Sequence, residues 1–268
     1  MSYYKVLGLD KEPFSISPDP SLLYLSSSHK TALHRLEIAI RLRRGLSMVL
    51  GDVGTGKTTL ARALVQELSQ DEDMLVYMIF DPSHKSEYQF LYTLVRLFKV
   101  TYPFHSAMDF KEAIEKFLFQ KGVDEGKIVV LLIDEGQKLT QPFLEVLRML
   151  LNYETNEYKL LQLVVFGQLE LLPKLAKIRN LMDRVALKYM LNPLDEHETK
   201  KLVEFRLAQS GFNHGRKLFT EEAIHLIHEH TQGYPRKISL LCHDALEKIV
   251  MEKKTLVQAS DIRELLLR

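Results

Sequence analysis

One glycine-rich stretch constrains the fold of this chain more than any other feature of its sequence. It covers residues 51–60 and reads GDVGTGKTTL. Residues 46–50, LSMVL, have the composition of a short buried strand, and residues 60–68 have the apolar spacing of a helix. A strand that leads through glycines into a helix is the usual structure of a phosphate-binding loop, because glycine lets backbone N–H groups approach phosphate oxygens. The sequence therefore predicts a phosphate site at this turn.

The loop also matches the P-loop pattern G-x-x-x-x-G-K-[ST] at every fixed position. We expect Lys57 to reach the β- and γ-phosphates of ATP and the Thr58 hydroxyl to bind Mg²⁺. The positive end of the following helix adds to the same anion site. The residues predicted to bind the nucleotide here are Gly51, Asp52, Val53, Gly54, Thr55, Gly56, Lys57, Thr58 and Thr59.

Two later strands end in polar residues that suit a site of this kind. Residues 128–133, IVVLLI, lead directly into Asp134 and Glu135. We expect Asp134 to hold Mg²⁺, directly or through a water, and Glu135 to polarise the water that attacks the γ-phosphorus. The strand at 160–166 is followed by Gln168, which is either a sensor of the γ-phosphate or the attacking water, or a helix cap or exposed loop residue.

Strands and helices alternate through the first 192 residues. The strands are predicted at 46–50, 74–80, 128–133, 160–166 and 186–191, and the helices at 29–44, 60–68, 86–99, 107–120, 141–153 and 169–177. The strands are mostly continuous apolar runs, which indicates a parallel sheet covered on both faces. Only helices follow, at 195–210, 220–230, 235–252 and 258–267, with Asp195, Thr220 and Ser260 as expected N-caps. Residues 1–28 are predicted to be irregular.

Composition narrows the class of protein. The 268 residues carry a formal net charge of +1, so no bulk field favours nucleic acid or an anionic membrane. Cys242 is the one cysteine, which excludes a disulfide framework and suits a reducing compartment. No apolar run approaches the ~18 residues of a membrane span, and the N-terminus is too polar for a secretory signal. We therefore expect a soluble, cytoplasmic chain.

Three further segments carry a resemblance to a known family. Residues 8–36 read GLDKEPFSISPDPSLLYLSSSHKTALHRL, residues 131–139 read LLIDEGQKL, and residues 233–246 read GYPRKISLLCHDAL. Together with the P-loop, they make the chain resemble the AAA+ ATPases, in particular the group of the type II secretion protein ExeA, also called GspA. The resemblance covers essentially the whole chain.

This resemblance implies a fold and a domain organisation. The fold is an α/β P-loop domain of three αβα layers with a five-stranded parallel sheet in AAA+ strand order, followed by a small all-helical lid. The implied divisions are a leader and helix at 1–44, the nucleotide-binding domain at 45–192 and the lid at 193–268. Nucleotide is expected between the last two. Adenine is expected against the leader near Pro13, Phe14, Tyr24 and Leu25, where the aromatic rings are equally compatible with plain packing.

The resemblance also assigns roles to two arginines. Arg236 in GYPR matches the sensor-2 position, whose guanidinium reaches the nucleotide phosphates from the lid. Arg184 stands where AAA+ proteins place an arginine finger, which acts on the γ-phosphate bound to a neighbouring subunit, and Arg179 is the alternative. Self-association into a ring or another oligomer is therefore implied.

The chain departs from the group at three places. Asp81 ends the second strand where a small or amide residue is common, and this third carboxylate bears on the orientation or protonation of Glu135. Gly136 replaces the usual alanine, a change with no chemistry of its own. Full-length members continue into a membrane span and a periplasmic part, so this is either an excised cytoplasmic domain or a stand-alone relative.

Three functions are compatible with these features. The leading hypothesis is an ATPase that couples turnover to assembly of an envelope machine, such as a type II secretion secretin or a related pilus or export system. The second is a DNA-associated switch of the transposition or origin-binding type, against which the neutral charge argues mildly. The third is a nucleotide-gated scaffold with very slow turnover.

Overall fold

The chain forms two compact units. The computed structural model describes residues 2–15, 22–101, 106–212 and 217–267. One of the two units, which we call the sheet unit, comprises Ser28–Asp52 and Lys57–Leu191. The helical unit comprises Met1–Ser27, Val53–Gly56 and Asn192–Arg268, as far as these ranges are described.

Five strands make one sheet in the described part of the sheet unit. They are β1 (Leu46–Leu50), β2 (Met74–Ile79), β3 (Ile128–Ile133), β4 (Leu161–Gly167) and β5 (Val185–Met190). Neighbouring strands are parallel, and their order is β2-β3-β4-β1-β5. The inner strands β1 and β4 are buried along their whole length, whereas the edge strand β5 alternates half-buried and exposed residues. Continuous apolar runs therefore mark the strands that are covered on both faces.

Helices occur in both units. They are α1 (Tyr3–Val6), α2 (Ser27–Arg41), α3 (Lys57–Leu68), α4 (Glu87–Leu97), α5 (Ala107–Phe119), α6 (Gln141–Leu150), α7 (Leu171–Ala176), α8 (Glu196–Gln209), α9 (Glu221–Thr231), α10 (Pro235–Met251) and α11 (Ala259–Leu266). In the sheet unit, Phe90 of α4 stacks on Phe143 of α6 with ring centroids 4.9 Å apart. Both rings join the core residues of β3, so these helices hold the strand that precedes Asp134.

The core of the helical unit is built from α8 to α11 and from part of the N-terminal segment. Phe14 is only 1% exposed and meets Phe219 edge-on at 6.1 Å between ring centroids. For Phe14 the structure thus supports the packing alternative, because a buried ring offers no face to adenine. Tyr24 packs against Phe205 within the same unit, with ring centroids 5.7 Å apart.

The predicted fold class is confirmed: an α/β unit with a five-stranded parallel sheet is accompanied by a helical C-terminal region. The N-caps Asp195 and Thr220 are also confirmed, since each side chain accepts a backbone N–H of its helix. The N-cap predicted at Ser260 is wrong. Gln258 is the N-cap of α11 instead, and its backbone N–H donates to Oδ2 of Asp261 at 2.8 Å.

Two other predictions need correction. The helix expected at 29–44 is α2, which ends at Arg41 because Arg43 (φ 50°) and Gly45 (φ 89°) adopt left-handed backbone. The segment expected to be irregular contains the single-turn helix α1. Within the described ranges, no helix has both the length and the apolarity that crossing a membrane requires.

Candidate functional site

Three predicted site segments meet at one edge of the sheet. Leu50, the last residue of β1, pairs with Gly167, and the Gly51 N–H donates to the Gly167 carbonyl at 3.2 Å. Ile133, the last residue of β3, pairs with Val165 of β4. The parallel strand order thus brings the P-loop, the Asp134–Glu135 pair and Gln168 to the carboxyl ends of adjacent strands. Open α/β sheets bind their ligands at this edge.

The glycine loop has the backbone that an anion cradle needs. Gly54 and Gly56 have φ values of 86° and 97°, a left-handed region that only glycine adopts without strain. The helix α3 begins at Lys57, so its first N–H groups have no carbonyl partner inside the helix and face the loop. Val53 at the loop tip is 60% exposed. These features suit a phosphate that enters from solvent.

Lys57 is a buried cation inside this loop. Its ammonium donates to the carbonyls of Gly51 at 2.8 Å and Asp52 at 2.7 Å. Burial lowers the pKa of Lys57 from its ordinary value, and nearby carboxylates oppose that shift, in the order Glu135, Asp134 and Asp52. A phosphate beside the ammonium would favour its charged form in the same way.

Two candidate magnesium ligands are adjacent. The Thr58 hydroxyl donates to Oδ2 of Asp134 at 2.6 Å, and the Asp134 carboxylate is 3% exposed. Hard oxygen atoms of a hydroxyl and a carboxylate suit Mg²⁺, which usually keeps several waters and binds substrate phosphates as well. The described residues hold no group of three or more His, Cys, Asp or Glu side chains placed for a metal. The hydroxyl of Thr58 and the carboxylate of Asp134 fit an ion that completes its coordination with waters and phosphate oxygens.

Glu135 occupies an unusual backbone conformation. Its φ of 52° is left-handed, and its N–H donates to Oδ1 of Asp134 at 2.9 Å. The strand direction thus changes sharply after Asp134, and the carboxylate of Glu135 remains half-buried. A non-glycine residue in this conformation costs on the order of 1–3 kcal/mol, and such residues concentrate at functional sites.

The carboxylate of Asp81 contacts other partners. It accepts hydrogen bonds from the backbone and hydroxyl of Ser83 and an ion pair from Lys138 at 2.8 Å. The hydrogen bond from Lys138 is the largest cause, and the bonds from Ser83 add to it; together they lower the pKa of Asp81 to about 2. These contacts do not include Glu135, whose orientation or protonation Asp81 was expected to affect.

The sequence interpretation missed Gln137. Its side-chain Nε2 donates to Oε2 of Glu135 at 2.6 Å, and its Oε1 accepts the backbone N–H of Gln168 at 3.1 Å. One amide thus joins two residues that were predicted separately. The available signal was a polar residue two positions after Glu135, which by itself indicates no contact.

Gly136, whose replacement of alanine was expected to add no chemistry of its own, has a role in packing. A Cβ at this residue would lie 2.4 Å from Cγ1 of Val165 and 3.1 Å from the carbonyl oxygen of Phe166. Real Cβ atoms do not come this close to another heavy atom. Glycine therefore allows the turn after Glu135 to pack directly on β4.

We expect Gly136→Ala to lower the free energy of unfolding by about 1–3 kcal/mol, as overpacked cores do. Val165→Ala removes the clashing Cγ1 atom and is the matched second change. The double variant should be more stable than the sum of the two single effects predicts. Denaturant unfolding of all four proteins measures this coupling, and strict additivity would contradict the packing explanation.

Arg184 lies at the amino-terminal ends of the strands, whereas the P-loop lies at their carboxyl ends. It directly precedes β5, whose first residue pairs with Leu46 at the start of β1. The length of β1 separates this end of the sheet from Gly51 by about 15 Å, at ~3.3 Å per residue. Arg184 is half-buried and donates to the Leu151 carbonyl at 3.3 Å, whereas Arg179 is exposed.

Arg236 lies within the helical unit, near the beginning of α10. The loop residues Val53–Gly56 belong to the same unit. A Cβ built at Gly54 would lie 3.4 Å from the Cβ of Arg236 and 4.0 Å from the ring of Tyr234. The helix start that carries Arg236 is therefore in close contact with the tip of the P-loop.

Comparisons with known proteins identify the family of the chain. A family model described as an AAA domain matches residues 40–175. General secretion pathway protein A of Aeromonas hydrophila is 37% identical over 253 residues, which are 91% of this chain and 44% of that protein. The chain thus spans less than half of the length of this relative.

Solved structures share the fold at low sequence identity. The Aeropyrum pernix ORC2 protein has a TM-score of 0.67 at 17% identity, covering 95% of this chain and 71% of that one. Cdc6p of Pyrobaculum aerophilum has a TM-score of 0.70 at 16% identity, covering 96% and 70%. The family model covers half of the chain and includes both the P-loop and the acidic end of β3. The chain therefore belongs to the AAA family of P-loop domains.

Proposed function

We propose that this chain binds Mg·ATP and hydrolyses it to ADP and phosphate. The observation that carries the proposal is the meeting of three groups at one sheet edge. These are the P-loop ammonium of Lys57, the adjacent oxygens of Thr58 and Asp134, and the carboxylate of Glu135. A glutamate beside a phosphate and metal site equips it for hydrolysis as well as binding.

Each group has a defined task in this proposal. The backbone of the loop and α3 binds the phosphates, while Lys57 exchanges its two carbonyl partners for phosphate oxygens. Thr58 and Asp134 hold Mg²⁺, which neutralises charge on the β- and γ-phosphates when bound. Glu135 orients the attacking water and accepts its proton. Gln168, whose backbone follows the end of β4, contacts the γ-phosphate or this water.

The two arginines complete the proposed site. Arg236, on the helix start that contacts the P-loop tip, binds the phosphates within its own subunit. Arg184 stabilises the charge of the transition state on a neighbouring subunit. The separation of ~15 Å between the end of the sheet that carries Arg184 and the P-loop supports action in trans, because it exceeds the reach of an arginine side chain. Self-association into a ring or another oligomer is part of the proposal.

We also propose the division into a leader at 1–44, a nucleotide-binding domain at 45–192 and a lid at 193–268. The continuous sheet of the middle segment and the helices after it support the second boundary. The described residues within Met1–Ser27 belong to the helical unit, whereas the rest of the proposed leader, from Ser28 onward, belongs to the sheet unit.

Nucleotide binding has a direct test. Lys57→Ala is expected to abolish Mg·ATP binding or weaken it beyond detection, because the lysine of a P-loop contacts the β- and γ-phosphates from within the loop. Lys30→Ala is the matched control, since Lys30 is an exposed lysine on α2. Titration calorimetry measures both affinities, with thermal unfolding as a check that each variant folds. An unchanged affinity in Lys57→Ala would reject the assignment of the loop.

The cellular role proposed for the ATPase is assembly of an envelope machine, such as a secretin or a related pilus or export system. The relation to a general secretion pathway protein over 91% of this chain supports this role. Deletion of the gene in the source organism should reduce assembled envelope multimers. The intact gene, but not its Glu135→Gln form, should restore them.

The alternative of a DNA-associated switch is tested separately. A formal net charge of +1 argues mildly against strong nonspecific DNA binding, because that affinity depends on neutralising phosphates. Duplex DNA binding should therefore be weak at low salt and unaffected by ATP. Tight, salt-dependent binding that ATP strengthens would contradict the envelope role and favour the switch.

A further inference from the structure

Gln137 joins two parts of the candidate site. It lies in the short 3-10 turn Gly136–Lys138 that follows Glu135. Its amide nitrogen donates to the carboxylate of Glu135 at 2.6 Å, and its amide oxygen accepts the N–H of Gln168 at 3.1 Å. A single planar side chain thus links the end of β3 to the end of β4.

The chemistry of the partners determines the orientation of this amide. The ionised carboxylate of Glu135 can only accept hydrogen bonds, and the backbone N–H of Gln168 can only donate one. Reversing the amide would place its oxygen against the carboxylate and its NH₂ group against the N–H. The bridge therefore has one satisfied arrangement, and its bond to the carboxylate is charge-assisted.

The backbone of Gln137 is held independently of this bridge. Lys174 of α7 donates to its carbonyl oxygen, and the same ammonium lies 3.5 Å from the carbonyl of Leu139. On the other side, Gly136 packs against Val165 and Phe166 of β4. The side chain is thus presented from a turn that α7 and β4 hold in place.

We propose that Gln137 is a positioning residue that holds the carboxylate of Glu135 in its working orientation and couples it to the tip of β4. This inference rests on the proposed ATPase function. Glu135 projects from a left-handed turn, and the hydrogen bond from Gln137 favours one orientation of its carboxylate. Because that partner also binds the Gln168 backbone, a shift of the β4 tip around the γ-phosphate moves the water-activating carboxylate with it.

The test separates turnover from binding. Gln137→Met keeps the volume of the side chain and removes both hydrogen bonds, and Gln137→Asn shortens the amide. Gln141→Ala is the matched control, because Gln141 is an exposed glutamine in the first turn of α6. We expect Gln137→Met to lower kcat about 10–100-fold, as small misplacements of reacting groups do, with the dissociation constant for ATP unchanged. Gln137→Asn should recover part of the loss.

A double-mutant cycle with Glu135→Gln distinguishes positioning from general damage. If Gln137 acts through Glu135, then Gln137→Met should cause no further loss of the residual turnover in the Glu135→Gln protein. Equal losses in both backgrounds, or wild-type turnover in Gln137→Met, would overturn the inference while the ATPase function stands. An unaltered protein that binds ATP but releases no phosphate would instead reject the proposed function, and the inference with it.

Discussion

Glu135→Gln is expected to retain Mg·ATP binding and to lose ATP turnover by ~10²-fold or more, the range over which a general base contributes. The amide keeps the size of the side chain and its hydrogen bond with Gln137 while losing the basic oxygen. Binding should persist because the proposed phosphate contacts come from the P-loop, which includes Lys57, and from Arg236, and not from Glu135. Single-turnover phosphate release and calorimetry measure the two properties separately.

Asp81→Asn provides the matched control for this experiment. Asp81 is also an acid at the end of a strand of the same sheet, but its carboxylate contacts Ser83 and Lys138. Turnover in Asp81→Asn should stay within about threefold of the parent, because an exposed ion pair contributes little energy. If Glu135→Gln turned over at the parent rate, Glu135 would not be the residue that activates water.

Arg184→Ala is expected to bind ATP normally and to lose about 10³-fold or more in turnover, as removal of an arginine finger does. Because the finger serves a neighbouring subunit, the specific activity of the unaltered protein should rise with its concentration. The lost bond to the Leu151 carbonyl is a single hydrogen bond, so thermal unfolding should change little. Arg179→Ala tests the exposed alternative under the same conditions.

Mixing two inactive proteins gives the sharpest test of action in trans. Arg184→Ala keeps an intact P-loop, and Lys57→Ala keeps an intact finger. At a mixed interface the first can bind ATP while the second supplies the arginine, so partial activity should return. No recovery in mixed oligomers that demonstrably form would count against a finger in trans. Turnover by a proven monomer, independent of concentration, would reject it.

The parts of the site that depend on local chemistry were predictable from the sequence. The P-loop has a strict spacing of glycines and a lysine because phosphate binding requires left-handed backbone and free N–H groups within a few residues. The buried run before Asp134 and Glu135 predicts a strand for the same local reason. The helical C-terminal region followed from the sequence pattern after residue 192, and the strand order followed from the resemblance to the AAA+ group. The structure confirms both.

Contacts between strands were not predictable in this way. The bridge from Gln137 to Gln168 exists only because β3 and β4 are neighbours in a particular register. The steric requirement for Gly136 likewise arises from Val165, which is distant in sequence. The glycine at 136 and the polar residue at 137 were both visible in the sequence, but neither indicated which residue of β4 it would contact.

The sequence by itself thus determined the class of fold and the residues of the P-loop and of the acidic strand end, because both are encoded in short-range spacing. The tertiary structure decided which side chains meet. It buries Phe14 in a core, pairs Asp81 with Lys138, attaches Glu135 to Gln137 and places Arg184 across the sheet from the P-loop. These outcomes depend on strand order, register and packing, which join residues far apart in the chain and leave no periodic trace in it.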